Sequence, residues 1–257
     1  MEVCLFVTAT ARDPAVPRKP GEPAAITRAE LAALLPSIAD WRGVVLHTPV
    51  AAGAHERAAE NELPCFTIQF YFDELSNLEA TLRSGGALAA FLDPQRFPRL
   101  EACVLTHQVM AVRRFAIPGS VQPGETGCSD LASYDGPAED FNAWIGHYLD
   151  THPPIMTRLP GVRAVEVYTR LDYRCELPMT RSYAMQRNKS VFDSVDALNA
   201  ALASPAHDEL RDNAGRFPPY SGAVRQIPML STGWRRTRRS GRHALFPGES
   251  QQTDTAD

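Results

Sequence analysis

The sequence predicts an α+β fold made of two β-α-β-β-α-β units, and three observations predict it. Short β-prone runs and amphipathic helices follow one another in that order through the first 117 residues. The order can be traced again after a turn-rich break. The two passes also share a register: Phe72-Asp73 returns as Phe192-Asp193, 120 residues later. Leu78, Ala80, Leu82 and Ser84 then meet Leu198, Ala200, Leu202 and Ser204, and Phe97-Pro98 meets Phe217-Pro218.

Each element has its own signal. Val3 to Thr8 is apolar and partly β-branched, a strand. Thr27 with Glu30 outlines a capping box for a helix through Leu31, Leu34, Leu35 and Ile38. Trp41 to Val50 reads as the second strand, with Val45 and His47 on one side. Cys65 to Phe72 is the third, Asp73 opens a helix through Leu82, and a short helix covers Ala87 to Leu92. Leu100 to Met110 is the fourth strand, with Val112 to Ile117 prolonging it or adding another. Gly127 to Tyr134 is a poor strand sequence, placed first in the second unit by topology alone. Pro137 to Gly161 reads as one amphipathic helix with Phe141, Trp144, Tyr148 and His152 on a face; Pro137 suits its first turn, and Pro153-Pro154 are expected to stop it. Val165 to Thr169 matches Val44 to Thr48 within one residue of the shared register.

The expected division is a first ferredoxin-like unit at 1–117, a linker at 118–127, a second unit at 128–233 and a basic, then polar, disordered tail at 234–257. The two sheets can pack face to face or join into an intrachain barrel, with room for a pocket. The 257 residues carry a formal charge of -4, which gives no reason to expect nucleic acid or an anionic membrane as partner. Five cysteines without CxxC spacing, and no signal-like N-terminus, point to a reducing, cytoplasmic setting. No apolar run reaches the length of a membrane span.

Phe141-x-x-Trp144, His152-x-Pro154, Leu159-Pro160-Gly161 and Phe192-Asp193-Ser194 together resemble the EthD-like group of the dimeric α+β barrel superfamily, over about Ala138 to Leu230. The resemblance implies a barrel closed within one chain, a pseudo-dimer open to further homodimerisation, and a cavity between sheet and helices for a small organic molecule. It also carries the group's helix-end histidine onto His152.

The chemistry expected follows from residue type. His152 is the first candidate for moving a proton, and His47 or Tyr168 for holding negative charge at oxygen. Trp144, Tyr148, His107, Tyr173, Tyr183 and Arg170 are candidate substrate contacts. His147 reads as an exposed surface residue. No HExxH, facial-triad, CxxCH, GxGxxG or Walker pattern occurs, so neither metal nor cofactor is expected. The expected function is a cofactor-independent isomerase, lyase or hydrolase of a small aromatic, lactone or other carbonyl compound. A cofactor-independent monooxygenase and a non-enzymatic binding protein are the alternatives.

Overall fold

A computed structural model describes residues 1–13, 15, 19–22, 24–51, 63–117, 119 and 126–236. Its nine strands are β1 (Val3–Ala11), β2 (Trp41–Pro49), β3 (Phe66–Phe72), β4 (Cys103–Phe115), β5 (Thr126–Tyr134), β6 (Ala164–Arg170), β7 (Thr180–Arg181), β8 (Gln186–Phe192) and β9 (Val224–Arg235). Its helices are α1 (Arg28–Leu34), α2 (Leu75–Thr81), α3 (Phe141–Met156), α4 (Val195–Leu202) and α5 (Pro205–Ala214).

Eight strands close into an antiparallel barrel. Each half contributes four, and the seams are β2–β9, from Gly43↔Arg235 to Pro49↔Met229, and β4–β6, from Met110↔Arg170 to Phe115↔Val165. β7 is a two-residue addition running parallel to β4. Closure leaves no open edge among the eight strands, and a barrel of this number has an interior that side chains can fill.

The strand period of two then separates two environments. In β3, Phe66, Ile68, Phe70 and Phe72 pack outward under α1 and α2, while Tyr71 joins Cys4, Phe6, Met110, Leu131, Tyr168 and Met229 inside the barrel. A second outer layer packs α3, α4 and α5 over Cys128, Val165 and Phe192.

Local chemistry sets the helix ends. Thr27 Oγ1 accepts from Glu30 N at 3.1 Å and Thr27 N donates to Glu30 Oε2 at 2.7 Å, the expected capping box. α3 is capped by Asp140, whose Oδ1 accepts from Ala143 N at 3.0 Å; Pro137 therefore lies ahead of the helix, not in its first turn. The helix also runs through Pro153 and Pro154 to Met156. The prolines remove two backbone donors only one turn from the end, and burial of Pro153, Ile155 and Met156 in the outer core offsets that loss. Gly161, at φ 74°, supplies the left-handed residue that turns the chain into β6.

Other boundaries differ modestly. α2 begins at Leu75 rather than Asp73, and Ala87–Leu92 is a 3₁₀ helix. β4 continues as one strand to Phe115. The poor sequence Gly127–Tyr134 is indeed a strand, held by partners on both sides, β8 and β9. β9 runs through Trp234 and Arg235 because it forms a barrel seam, so the chain remains folded past residue 234. The basic run beyond Arg236 lies outside the described residues, as does most of the 118–127 linker.

β3 and β8 span positions 66–72 and 186–192, and α2 and α4 start at Leu75 and Val195, so both pairs are 120 residues apart. On that ground we read 1–117 and 128–233 as two related units. No helix among the described residues is long and apolar enough to cross a membrane.

Candidate active site

The aromatic stripe of α3 lies against the outer face of the second half-barrel. Trp144 stacks on Tyr148 with ring centroids 5.2 Å apart, Tyr148 is 5.0 Å from His152, and Phe217 meets His152 edge-on at 5.2 Å. Tyr134 closes the cluster from β5, 5.5 Å from Trp144. Trp144, Tyr148 and His152 are all buried, as the helical spacing predicts. Phe217 also leans on His147 at 6.0 Å, so His147 is half-buried rather than an exposed surface residue.

His152 borders a small cavity of about 50 Å³ between α3, α4, α5 and the outward faces of β5, β8 and β9. Asn188, Ser190, Asp130 and Gln226 form its polar wall, and Leu198, Leu202 and Leu210 its apolar one. Asn213 Oδ1, on α5, sits 2.8 Å from His152 Nδ1 and also accepts from Thr151 Oγ1 at 3.5 Å. An amide oxygen is an acceptor, so His152 carries its proton on Nδ1 and presents the Nε2 lone pair. No described residue bonds Nε2. Burial lowers the imidazole pKa to about 4, with the Asn213 bond opposing the shift, so the ring is neutral at pH 7. Asn188 Nδ2 donates to Tyr148 OH at 2.8 Å, which joins the aromatic stripe to the cavity wall.

His47 and Tyr168 are elsewhere. Both point into the barrel, on the opposite face of the sheet from His152, where they belong to one buried polar network. Ser129 and Ser231 hydroxyls lie 2.8 Å apart, Ser231 Oγ is 2.9 Å from His47 Nδ1, and His47 Nε2 is 2.8 Å from Gln69 Oε1. Lys189 Nζ donates to Gln69 Oε1 at 2.8 Å and to Tyr71 OH at 2.7 Å, and Gln69 Nε2 donates to Tyr168 OH at 2.8 Å. Because the ammonium can only donate, Gln69 Oε1 is the acceptor end, and His47 carries its proton on Nε2. Glu166 completes the network, 3.0 Å from Lys189, with Tyr71, Tyr168 and Arg114 donating to its two oxygens. Burial alone would raise its pKa, but Lys189 and then Arg114 hold it at about 2. Burial, and then Lys189, lower the His47 pKa to about 3, while burial and Glu166 push Tyr71 and Tyr168 well up.

The remaining predicted contacts are dispersed. His107 faces outward on the first half, its Nδ1 2.8 Å from Tyr173 OH, with the Arg181 guanidinium 4.0 Å above the Tyr173 ring. Burial and then Arg181 lower the His107 pKa. Tyr183 is exposed, and Arg170 lies 5.6 Å over the Phe141 ring. The structure thus brings Trp144 and Tyr148 to His152 and does not bring His47, Tyr168, His107, Tyr173, Tyr183 or Arg170 there. A larger surface cleft of about 230 Å³ beside α2 is lined by Glu79, Arg83, Arg174 and Glu176 and contains none of the predicted residues.

Asn213, Asn188, Gln69, Tyr71, Glu166 and Lys189 escaped the sequence reading. Three of them carried a signal. Gln69, Glu166 and Lys189 are polar or charged residues inside otherwise β-prone runs, and Gln69 and Lys189 share the 120-residue register. Among the described residues no cluster of His, Cys, Asp or Glu is placed to hold a metal ion.

The depressed histidine pKa values make an acid-stability prediction. Each native pKa lies below the unfolded value near 6.5, so the unfolded chain binds protons first. Stability is full above about pH 6.5 and falls as pH drops toward 4, with His152 alone accounting for about 3 kcal/mol at the lower end. Urea unfolding at successive pH values should show a shallower acid limb for His152→Gln; an unchanged limb contradicts the assignment.

The fold and site define an α+β barrel with a histidine-bearing pocket between sheet and helices. No protein-family profile matches the chain, and no curated protein matches it. Solved structures do. An anthrone oxidase-like protein aligns over 91% of this chain and 92% of its own, with TM-score 0.56 and 14% identity. An EthD family protein from Bacillus halodurans C-125 covers 38% of this chain and 95% of its own at TM-score 0.31 and 23% identity. Chlorite dismutase from Candidatus Nitrospira defluvii covers 89% and 90% at TM-score 0.46 and 10% identity. The first of these shows a shared fold. The EthD-like resemblance therefore goes no further than this shared α+β barrel fold.

Proposed function

We propose that the helix-side cavity of the second unit performs general acid–base chemistry on a small carbonyl, lactone or phenolic compound, with His152 as the base. One observation carries this reading. The imidazole is neutral, its tautomer is set by Asn213, and its unbonded Nε2 borders a pocket with one polar and one apolar wall. A base needs a third group to orient it, and Asn213 is that positioning residue. Nε2 takes a proton from carbon next to a carbonyl; the electron pair moves onto the carbonyl oxygen, where the Asn188 amide or Ser190 hydroxyl donates; return of the proton to another carbon completes an isomerisation, and its delivery to a β-oxygen as the Cβ–O bond breaks completes an elimination. His47 and Tyr168, expected to pair with His152, take no part in this step, because they face the barrel interior. The cavity holds only a few atoms, so a substrate enters with movement of α5 or α4 away from the sheet.

Proton exchange tests this directly. A panel of lactones, β-diketones and activated phenols in D₂O, followed by NMR, should show deuterium entering one carbon with wild type and not with His152→Gln. Asn213→Ala should lower kcat and move the pH profile, since the imidazole loses the bond that favours its charged form. Exchange that is unaffected in His152→Gln refutes the base. Oxygen uptake with the same panel, without added cofactor, would instead support the monooxygenase reading.

A further inference from the structure

Arg187 is a cation of the barrel strands that neither the proposed chemistry nor the barrel network uses. It stands two residues from Lys189 on β8 and so points, as Lys189 does, into the barrel, next to Tyr168 on β6 and Ser133 on β5 in the strand register. Its guanidinium lies over the Phe6 ring, 4.9 Å from the centroid. Its hydrogen-bond partners are neutral and distant: Gln108 Oε1 at 3.4 Å from both Nε and a terminal nitrogen, and Ser182 Oγ at 3.3 Å. Gln108 cannot turn away freely, because its Nε2 donates to Ala184 O at 2.8 Å.

No described carboxylate is within ion-pair distance of Arg187. The carboxylate at this end, Asp135, is engaged by Arg225, whereas Arg114 has both Glu2 and Glu166. Burial accordingly lowers the Arg187 pKa to about 10. A half-buried guanidinium held by long bonds to neutral acceptors is an incompletely satisfied donor fork that a partner can still reach. Stacking on Phe6 covers one of its planes and leaves its N–H edge as the direction for a partner.

We infer that this end of the barrel binds the carboxylate of a small organic acid, with Arg187 as the anchor and Gln108 and Ser182 holding the guanidinium in place. A carboxylate supplies two parallel acceptors for the fork and the charge that the barrel lacks there. The site is separate from the His152 pocket, since Arg187 and its neighbour Asn188 project to opposite faces of β8.

The test uses the whole chain with acetate and benzoate as probes, at constant ionic strength with chloride as the balancing anion. Both should raise Tm saturably, while acetamide and benzamide should not. Arg187→Gln should weaken the response at least tenfold, and Arg187→Lys, which keeps the charge without the fork, should fall between. His152→Gln should leave it unchanged. The inference is overturned if carboxylates and amides act alike, if either Arg187 variant binds as tightly as wild type, if Arg187→Gln without ligand melts well below wild type, or if His152→Gln abolishes the response.

Discussion

Glu166→Ala is expected to destabilise the barrel by about 3–5 kcal/mol, the usual cost of removing one partner of a buried ion pair. The carboxylate neutralises Lys189 at 3.0 Å and Arg114 from the barrel end, and it accepts from Tyr71 and Tyr168. Both Glu166 and Lys189 are buried, so water cannot take over these roles. Without Glu166 the ammonium is left in a low-dielectric interior with only Gln69 and Tyr71 oxygens. The double replacement Glu166→Met with Lys189→Met should recover most of the loss, because it removes both charges together and keeps the volume. Urea unfolding of the three variants decides the matter. A double variant no more stable than Glu166→Ala would mean that the ion pair is not what the interior is built around.

His152→Gln is expected to lower kcat on an accepted substrate by about 10²–10⁴-fold, the range that a positioned proton-transfer group contributes. The glutamine preserves much of the bulk against Tyr148 and Phe217, so circular dichroism should remain native. It cannot take the proton at neutral pH. Since the wild-type imidazole pKa is lowered to about 4, wild-type kcat/KM should stay level from pH 7 down to about 5 and fall as Nε2 protonates below that. A wild-type profile breaking near 6.5 would place the active base in a solvated position and exclude the buried His152. Equal turnover in wild type and variant would remove it from the chemistry altogether.

The sequence by itself determined the order of the elements, the Thr27–Glu30 capping box and the face shared by Trp144, Tyr148 and His152. These are local properties: helix and strand periods and the chemistry of a helix end act over a few residues. It also carried the 120-residue register, because positions packed in the same way tolerate the same residue types. Only the tertiary structure decided which candidates share a site. Barrel closure and the alternation of β6 turn Val165 and Val167 toward the outer helices and Glu166 and Tyr168 toward the interior, so Tyr168 faces away from the helix layer that carries His152. Asn213 meets His152 across 61 residues of chain, through the packing of α5 on α3. Pro153 and Pro154, read locally as a stop, stay helical because the outer core rewards one more turn. Each of these outcomes depends on contacts between residues far apart in the chain, where a local pattern carries no information about partner or face.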